Sequence, residues 1–95
     1  MSNLIIRAKL DFTLSNRTIS VNSRFHFKNG ERIIDLMLLK VSGDEVISNG
    51  ETRIVELVVV NPLFSDVKLE KGQEIRILQG TDVVGKGHII SLSLN

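Results

Sequence analysis

The sequence predicts an all-β fold, either a barrel or a sandwich, and three observations lead to this prediction. The apolar residues are mainly aliphatic, with 11 Ile, 10 Val and 12 Leu against four Phe and no Trp or Tyr. β-Branched side chains are stiff and pack well on a pleated sheet. Segments of alternating polarity are separated by glycine turns, as in small barrels and sandwiches. A closed barrel is favoured because closure removes exposed strand edges.

The first half of the chain contains two clear alternating segments. In residues 4–12 every second residue is apolar, namely Ile6, Ala8, Leu10 and Phe12. Residues 24–28 repeat the pattern, with Phe25 and Phe27 expected inward and His26 outward. Successive side chains of a strand point to opposite faces, so both segments are predicted to be half-buried strands.

The middle and end of the chain give four further segments. Residues 33–41 are ambiguous, because their aliphatic run suits an amphipathic helix or a buried strand; the short distance between the flanking turns favours a strand. Strands are also predicted at residues 53–60, 74–78 and 88–94. In the last of these, Ile90, Leu92 and Leu94 are expected to share one face.

Glycines mark the expected turns. The sites are Asn29-Gly30, Ser42-Gly43, Asn49-Gly50, Lys71-Gly72, Gln79-Gly80, and Gly85 with Gly87. Glycine, like Asn, tolerates the positive φ that tight hairpin turns require.

The composition restricts the classes of protein to consider. Ninety-five residues correspond to about one domain, so residues 1–95 are expected to form a single domain. The chain contains no Cys, which excludes disulfides and thiolate metal sites. No apolar run approaches a signal-peptide core or a membrane span, so we expect a cytoplasmic protein with no membrane contact.

The charges are unevenly distributed along the chain. Residues 1–40 contain seven Lys and Arg against three acidic residues, whereas residues 41–95 contain five against eight. Such a field can steer a charged partner, although solvated outer faces of strands give the same distribution.

The polar residues form no recognisable catalytic or metal-binding set. His26 and His88 are the two histidines, and a triad needs a nucleophile beside a histidine that an acid orients. Two distant histidines and scattered carboxylates do not supply the three or four ligands of a zinc site. Asp44, Glu45 and Asp66 lie in turn contexts, where solvated acids are expected. The sequence therefore predicts a protein that is not an enzyme and has no cofactor.

The second half of the chain carries motifs that resemble a known family. Residues 53–62 read as a strand that ends in Pro62, and residues 69–78 as a glycine turn followed by a strand. Residues 84–89 read Val-Gly-Lys-Gly-His-Ile, a pattern that finishes the barrel in the C-terminal, third domain of elongation factor Tu. Upstream, residues 24–27 and 49–51 are similar to a strand and a turn of the same domain.

The resemblance implies a small six-stranded, Greek-key-like closed barrel. It implies no GTP binding, because the GTPase domain and its glycine-rich phosphate loop are absent from the sequence. In the elongation factor this domain contacts the T stem of aminoacyl-tRNA, and it also contacts surfaces of the exchange factor or of the GTPase domain. The family's basic turn is Leu-Gln-Gly-Thr-Asp here, at residues 78–82, so two arginines are missing and an acid is present.

Two functions are compatible with these residues. The first is a non-catalytic protein-interaction module, translation-related, acting as a freestanding mimic of the elongation factor domain in a regulatory or immunity-type role with an unidentified protein partner. The alternative is an RNA- or tRNA-binding module that uses a basic face of the N-terminal half. The candidate binding residues are Arg7, Lys9, Arg17, Arg24, His26, Lys28 and Lys86. One basic face requires the strands at residues 4–12 and 24–28 to expose the same side of the barrel.

Overall fold

The computed structural model describes residues 3–61 and 68–94, and within these ranges the chain forms eight β-strands. The strands are β1 (Leu4–Phe12), β2 (Ile19–Ser20), β3 (Arg24–Asn29), β4 (Arg32–Val41), β5 (Val46–Ile47), β6 (Thr52–Asn61), β7 (Glu74–Gln79) and β8 (Asp82–Leu94). In these ranges there is no helix of the length and apolar character needed to span a membrane. Pro62 and Asp66, predicted to end a strand and to lie in a turn, fall outside the described residues.

The six long strands form a closed, antiparallel barrel, which confirms the predicted all-β fold. Around the barrel the strand order is β1, β6, β4, β3, β7, β8, and β8 pairs with β1 to close the ring. β3, β4 and β6 are successive neighbours and β1 lies beside β6, which is a Greek-key arrangement. The short strands β2 and β5 form a separate two-stranded sheet.

Alternation of side chains along the strands fills the barrel interior. The predicted inward residues of β1 and β3 are all buried, and Phe25 and Phe27 are only 3% and 1% exposed. Within the described ranges no polar or charged residue is buried. Apolar packing therefore stabilises the interior, without a buried polar network.

Residues 33–41 are a strand, as the turn spacing favours. β4 pairs with β3 on one side and with β6 on the other. Ile34, Leu36 and Leu38 point inward and are each at most 1% exposed. Burial of every second residue is the period of a strand and not that of a helix.

The predicted turn at Gly85 and Gly87 does not form, because both glycines lie inside β8. A Cβ at Gly85 would lie 3.0 Å from Cγ1 of Ile77, and a Cβ at Gly87 would overlap the carbonyl oxygen of Lys9. The two glycines therefore permit close packing of β8 against its neighbours, a recognised use of glycine within strands. The glycines of the other five predicted sites lie between strands, with φ between 62° and 87°.

The inward residue near the end of β8 is Ile89 and not Ile90, which corrects the predicted face. Consecutive residues of β1 pair with Ile89 and Ser91, so Ile90 is the extra residue of a β-bulge. Ile89 is fully buried, Leu92 packs against the core, and Leu94 is 59% exposed. The bulge shifts the alternation by one residue, and periodicity read along a sequence assumes that no such shift occurs.

One arginine organises the loop between β4 and β6. Arg53 donates from Nε to the carbonyl oxygen of Ser42 at 2.7 Å and from Nη2 to the carbonyl oxygen of Asp44. Its Nη1 donates to Oε1 of Glu51 at 3.0 Å. Because the side chain of Arg53 is only 10% exposed, these charge-assisted hydrogen bonds are largely shielded from water.

The seam between β3 and β7 has the fewest strand pairs in the barrel. His26 and Leu78 are its one cross-strand pair, whereas each other pair of neighbouring barrel strands shares at least six. Side-chain hydrogen bonds cross the seam at both of its ends. At one end, Nε2 of Gln79 donates to a main-chain carbonyl oxygen of β3 at 3.2 Å. At the other end, Nε2 of Gln73 donates to Oδ1 of Asn29 at 3.1 Å.

Candidate functional site

A shallow cavity of about 750 Å³ lies on the outer surface of β3, β7 and β8, beside the seam between β3 and β7. We call it the seam groove. Its lining side chains form two rows that cross the three strands, one row of cations and one row that is mainly apolar. The ring order of the strands creates both rows, since β3 and β8 are the two neighbours of β7.

The first row consists of Lys28 on β3, Arg76 on β7 and Lys86 on β8. Arg76 and Lys86 are a direct cross-strand pair. Lys28 lies two residues after His26 and Arg76 two residues before Leu78, so both cations lie on the same side of the His26–Leu78 pair, with the seam between them. All three cations are exposed and line the seam groove.

The second row contains His26, Leu78 and Val83. Leu78 pairs with His26 across the seam and with Val83 on β8. Val83 is 37% exposed, and Ile33, which pairs with Lys28 from β4, is 55% exposed. Exposed aliphatic surface beside a row of cations suits a ligand that is both apolar and anionic.

Two acidic residues, Asp11 and Glu74, border the groove, and Glu74 lies two residues from Arg76 on the same face of β7. Asp11 pairs with Lys86 across the sheet, but its carboxylate accepts a hydrogen bond from the hydroxyl of Thr52. Glu74 lies opposite His88, beyond the row. Both ion pairs found among the described residues lie elsewhere in the barrel. Arg76 and Lys86 are like charges directly opposite on neighbouring strands, which is destabilising, whereas Asp11 attracts Lys86 from its other side.

The structure brings three of the predicted binding residues together. His26, Lys28 and Lys86 all line the seam groove. Lys9, also predicted, lies on β1, where it pairs with His88 of β8. Arg7 is farther along β1, opposite Ser91 and Glu56, and borders a different, smaller cavity.

Arg24 and Arg17, the other predicted residues, lie outside the seam groove. Arg24 borders a neighbouring cavity of about 600 Å³ at the other end of the seam. Arg17 donates to Asp82 at 2.7 Å and to Gln79 at 3.1 Å. Its side chain thus links the segment before β2 to the hairpin that β7 and β8 form. Its charge is already paired with that of Asp82.

The predicted single basic face is not formed. β1 and β3 are three positions apart in a ring of six strands, so they lie on opposite sides of the barrel. Arg7 and Lys9 therefore point away from Arg24, His26 and Lys28. The condition for one basic face of the N-terminal half is not met. The predicted basic residues of β1 and those of β3 lie on opposite sides of the barrel.

Sequence reasoning missed Arg76 and Ile33 as site residues. Arg76 alternates with two inward isoleucines and so reads as an ordinary exposed position. Ile33 belongs to an aliphatic run in which Ile34, Leu36 and Leu38 are core residues. Its pairing with Lys28 follows from the hairpin register, because Lys28 stands two residues before Gly30 and Ile33 two residues after Glu31, the two residues of the turn.

The two histidines have neighbours that do not suit nucleophilic catalysis. His26 faces Asp35 and Leu78 across the sheet. His88 faces Lys9 and Glu74. Among residues 3–61 and 68–94, no three His, Asp or Glu side chains are placed to hold a metal ion.

Comparison with known proteins gives no family for this chain. The sequence matches no protein-family model, and a search of curated proteins finds no match. What the geometry defines is a closed six-stranded antiparallel barrel with a cationic and apolar groove over one seam.

Proposed function

We propose that this protein is a non-catalytic protein-interaction module that binds its partner through the seam groove. One observation carries the proposal: Lys28, Arg76 and Lys86 stand side by side without ion pairs among the described residues, next to exposed Ile33 and Val83. Like-charge neighbours cost stability. Residues that lower stability without serving the fold are typical of functional sites.

A non-catalytic role is supported by the surroundings of the polar side chains. Across the sheet, His26 and His88 each face one carboxylate-bearing residue, and the opposite neighbours are Leu78 and Lys9. A hydroxyl nucleophile beside the histidine, which acyl transfer needs, is missing from these pairs.

We also propose that the barrel is a relative of the third domain of elongation factor Tu, with a regulatory or immunity-type role. Two features support this kinship. The barrel has the six strands that the resemblance implies, and the Gly-x-Gly motif at Gly85 and Gly87 lies in its last strand. A mimic of that domain would capture a molecule that the elongation factor normally binds.

RNA binding is the second candidate, and the cation row favours it. Lys28, Arg76 and Lys86 have the charge to contact a phosphate backbone. Single-stranded RNA is usually also held by aromatic side chains that stack on bases. The three phenylalanines within residues 3–61 and 68–94, Phe12, Phe25 and Phe27, are in the core, and the chain has no Trp or Tyr. A protein partner is therefore the better supported of the two.

The experiment is affinity capture from native lysate, with and without nuclease, using the wild type and two double variants. Arg76→Gln with Lys86→Gln alters the seam groove. Arg7→Gln with Lys40→Gln removes the same charge from residues that flank Glu56 on β6, the strand opposite β7 in the ring. Both pairs are exposed, so neither double variant is expected to unfold the barrel.

The proposal expects a stoichiometric protein that survives nuclease, is retained by the Arg7/Lys40 variant and is lost with the Arg76/Lys86 variant. Recovery of RNA, with associated proteins released by nuclease, would establish the second candidate instead. Equal capture by both double variants would exclude the seam groove as the binding surface.

A further inference from the structure

Resting on the proposed function, we infer that the occupant of the seam groove is an extended acidic segment of a partner protein, in which Asp or Glu alternates with Leu, Ile or Val. The two parallel rows, one cationic and one apolar, are the juxtaposition that identifies this chemistry. The cations are Lys28, Arg76 and Lys86, and the aliphatic side chains are Leu78 and Val83.

The spacing of the rows fits an extended chain. Neighbouring strands lie about 4.8 Å apart, so each row spans roughly 10 Å from β3 to β8. An extended segment of about three or four residues covers this length. The rows are separated by two residues along β3 and β7, roughly 6.6 Å, and by three along β8, where the pairing with β7 contains a bulge. A chain lying between them would direct alternate side chains to the cations and to the aliphatic surface.

Charge complementarity selects an acidic occupant. The cation row consists of Lys28, Arg76 and Lys86, and neither of the ion pairs found among the described residues includes any of them. A carboxylate placed between Arg76 and its neighbours would replace repulsion by attraction on both sides. A guanidinium also binds a carboxylate with two parallel hydrogen bonds, which gives Arg76 the central role.

The aliphatic row favours a peptide over a nucleic acid as the occupant of the groove. Val83 in this row is 37% exposed and Ile33, which is opposite Lys28, is 55% exposed, and an aliphatic side chain of the occupant would remove part of this surface from water. A phosphate backbone offers no such side chain. Binding should therefore depend on aliphatic residues in the occupant as well as on its charge.

The experiment measures fluorescence anisotropy of four labelled probes with the purified 95-residue chain. The first peptide is Asp-Leu-Asp-Val-Asp-Leu. In the second, Ser replaces the aliphatic residues, and in the third, Lys replaces Asp. The fourth probe is a single-stranded hexauridylate RNA. Light scattering of the free chain, at the same concentrations, reports whether a second copy occupies the groove.

The inference expects the first peptide to bind at least about tenfold more tightly than the second, and the third to show no binding. The Arg76→Gln, Lys86→Gln double variant should weaken binding about tenfold or more. Val83→Thr should weaken it several-fold, because Thr keeps the shape of Val and only reduces the apolar surface. The Arg7→Gln, Lys40→Gln variant should leave the affinity unchanged.

Several results would overturn the inference: equal affinity for the first two peptides, tighter binding of the RNA, no binding of the first peptide at about 1 mM, or a dimer that buries the groove. Failure here is distinguishable from failure of the proposed function. A captured protein that is lost with the groove variant, combined with no preference for acidic-aliphatic peptides, would refute the partner chemistry alone. Loss of both would refute the interaction module.

Discussion

Reversing the charge of Arg76 should stabilise the free barrel and abolish binding at the same time. Arg76 is the middle cation of the row, with Lys86 directly opposite on β8 and Lys28 across the seam. Arg76→Glu would convert two repulsive neighbours into two attractive ones. The same change would remove the guanidinium that an acidic partner needs.

The expected gain in the free energy of unfolding is about 1 kcal/mol at low salt. A cross-strand charge pair contributes roughly 0.2–1 kcal/mol, and exposure keeps each pair near the low end of that range. Two pairs change sign, while Glu74 on the same face of β7 adds some repulsion to a new carboxylate. A gain of about 1 kcal/mol would raise the Tm by roughly 4–8 °C in a domain of this size.

Urea denaturation of the wild type and three variants measures the effect. Arg76→Gln removes the charge without reversing it and should give about half the gain. Lys40→Glu is the matched reversal elsewhere on the barrel: Lys40 faces Glu56, so a glutamate there should destabilise. The changes in stability caused by the two charge reversals, Arg76→Glu and Lys40→Glu, should shrink in about 1 M salt. A midpoint for Arg76→Glu below that of the wild type would refute the claim that the row is repulsive.

Three further outcomes follow from the fold and are measurable by the same denaturation. Gly87→Ala should destabilise by about 3 kcal/mol or more, because its Cβ overlaps the main chain at Lys9 and β8 must move away from β1. Arg53→Ala should lower stability by about 2 kcal/mol, since the loop 42–51 loses a shielded set of charge-assisted hydrogen bonds. Arg17→Ala should change stability by less than about 1 kcal/mol, because its ion pair is exposed and salt-screened.

Much of the barrel was predictable because each strand has one face in the core. Alternation located β1 at residues 4–12 and placed Phe25 and Phe27 inward, since a half-buried strand must alternate. Local pattern failed where the sheet geometry depends on distant strands. Gly85 reads as a turn glycine along the chain, but Ile77 and Phe12 of two other strands occupy the space of its side chain.

The candidate site was only partly predictable, because it depends on strand order. Lys28 and Lys86 were identified as basic residues, yet nothing local shows that β3 and β8 flank the same strand. The grouping of Arg7 with Arg24 assumed that β1 and β3 lie close together, whereas the closed Greek-key ring places them on opposite sides. Arg76 gains its significance only from the two cations beside it.

The central claim is that the seam groove is the binding surface, and NMR titration tests it most directly. Amide shifts of this 95-residue chain would be followed while the peptide Asp-Leu-Asp-Val-Asp-Leu is added. The account predicts shifts that cluster around Lys28, Arg76 and Lys86 on β3, β7 and β8, with β6 unaffected, and their loss in Arg76→Glu. Shifts centred on β6, or no shifts at about 1 mM peptide, would contradict it.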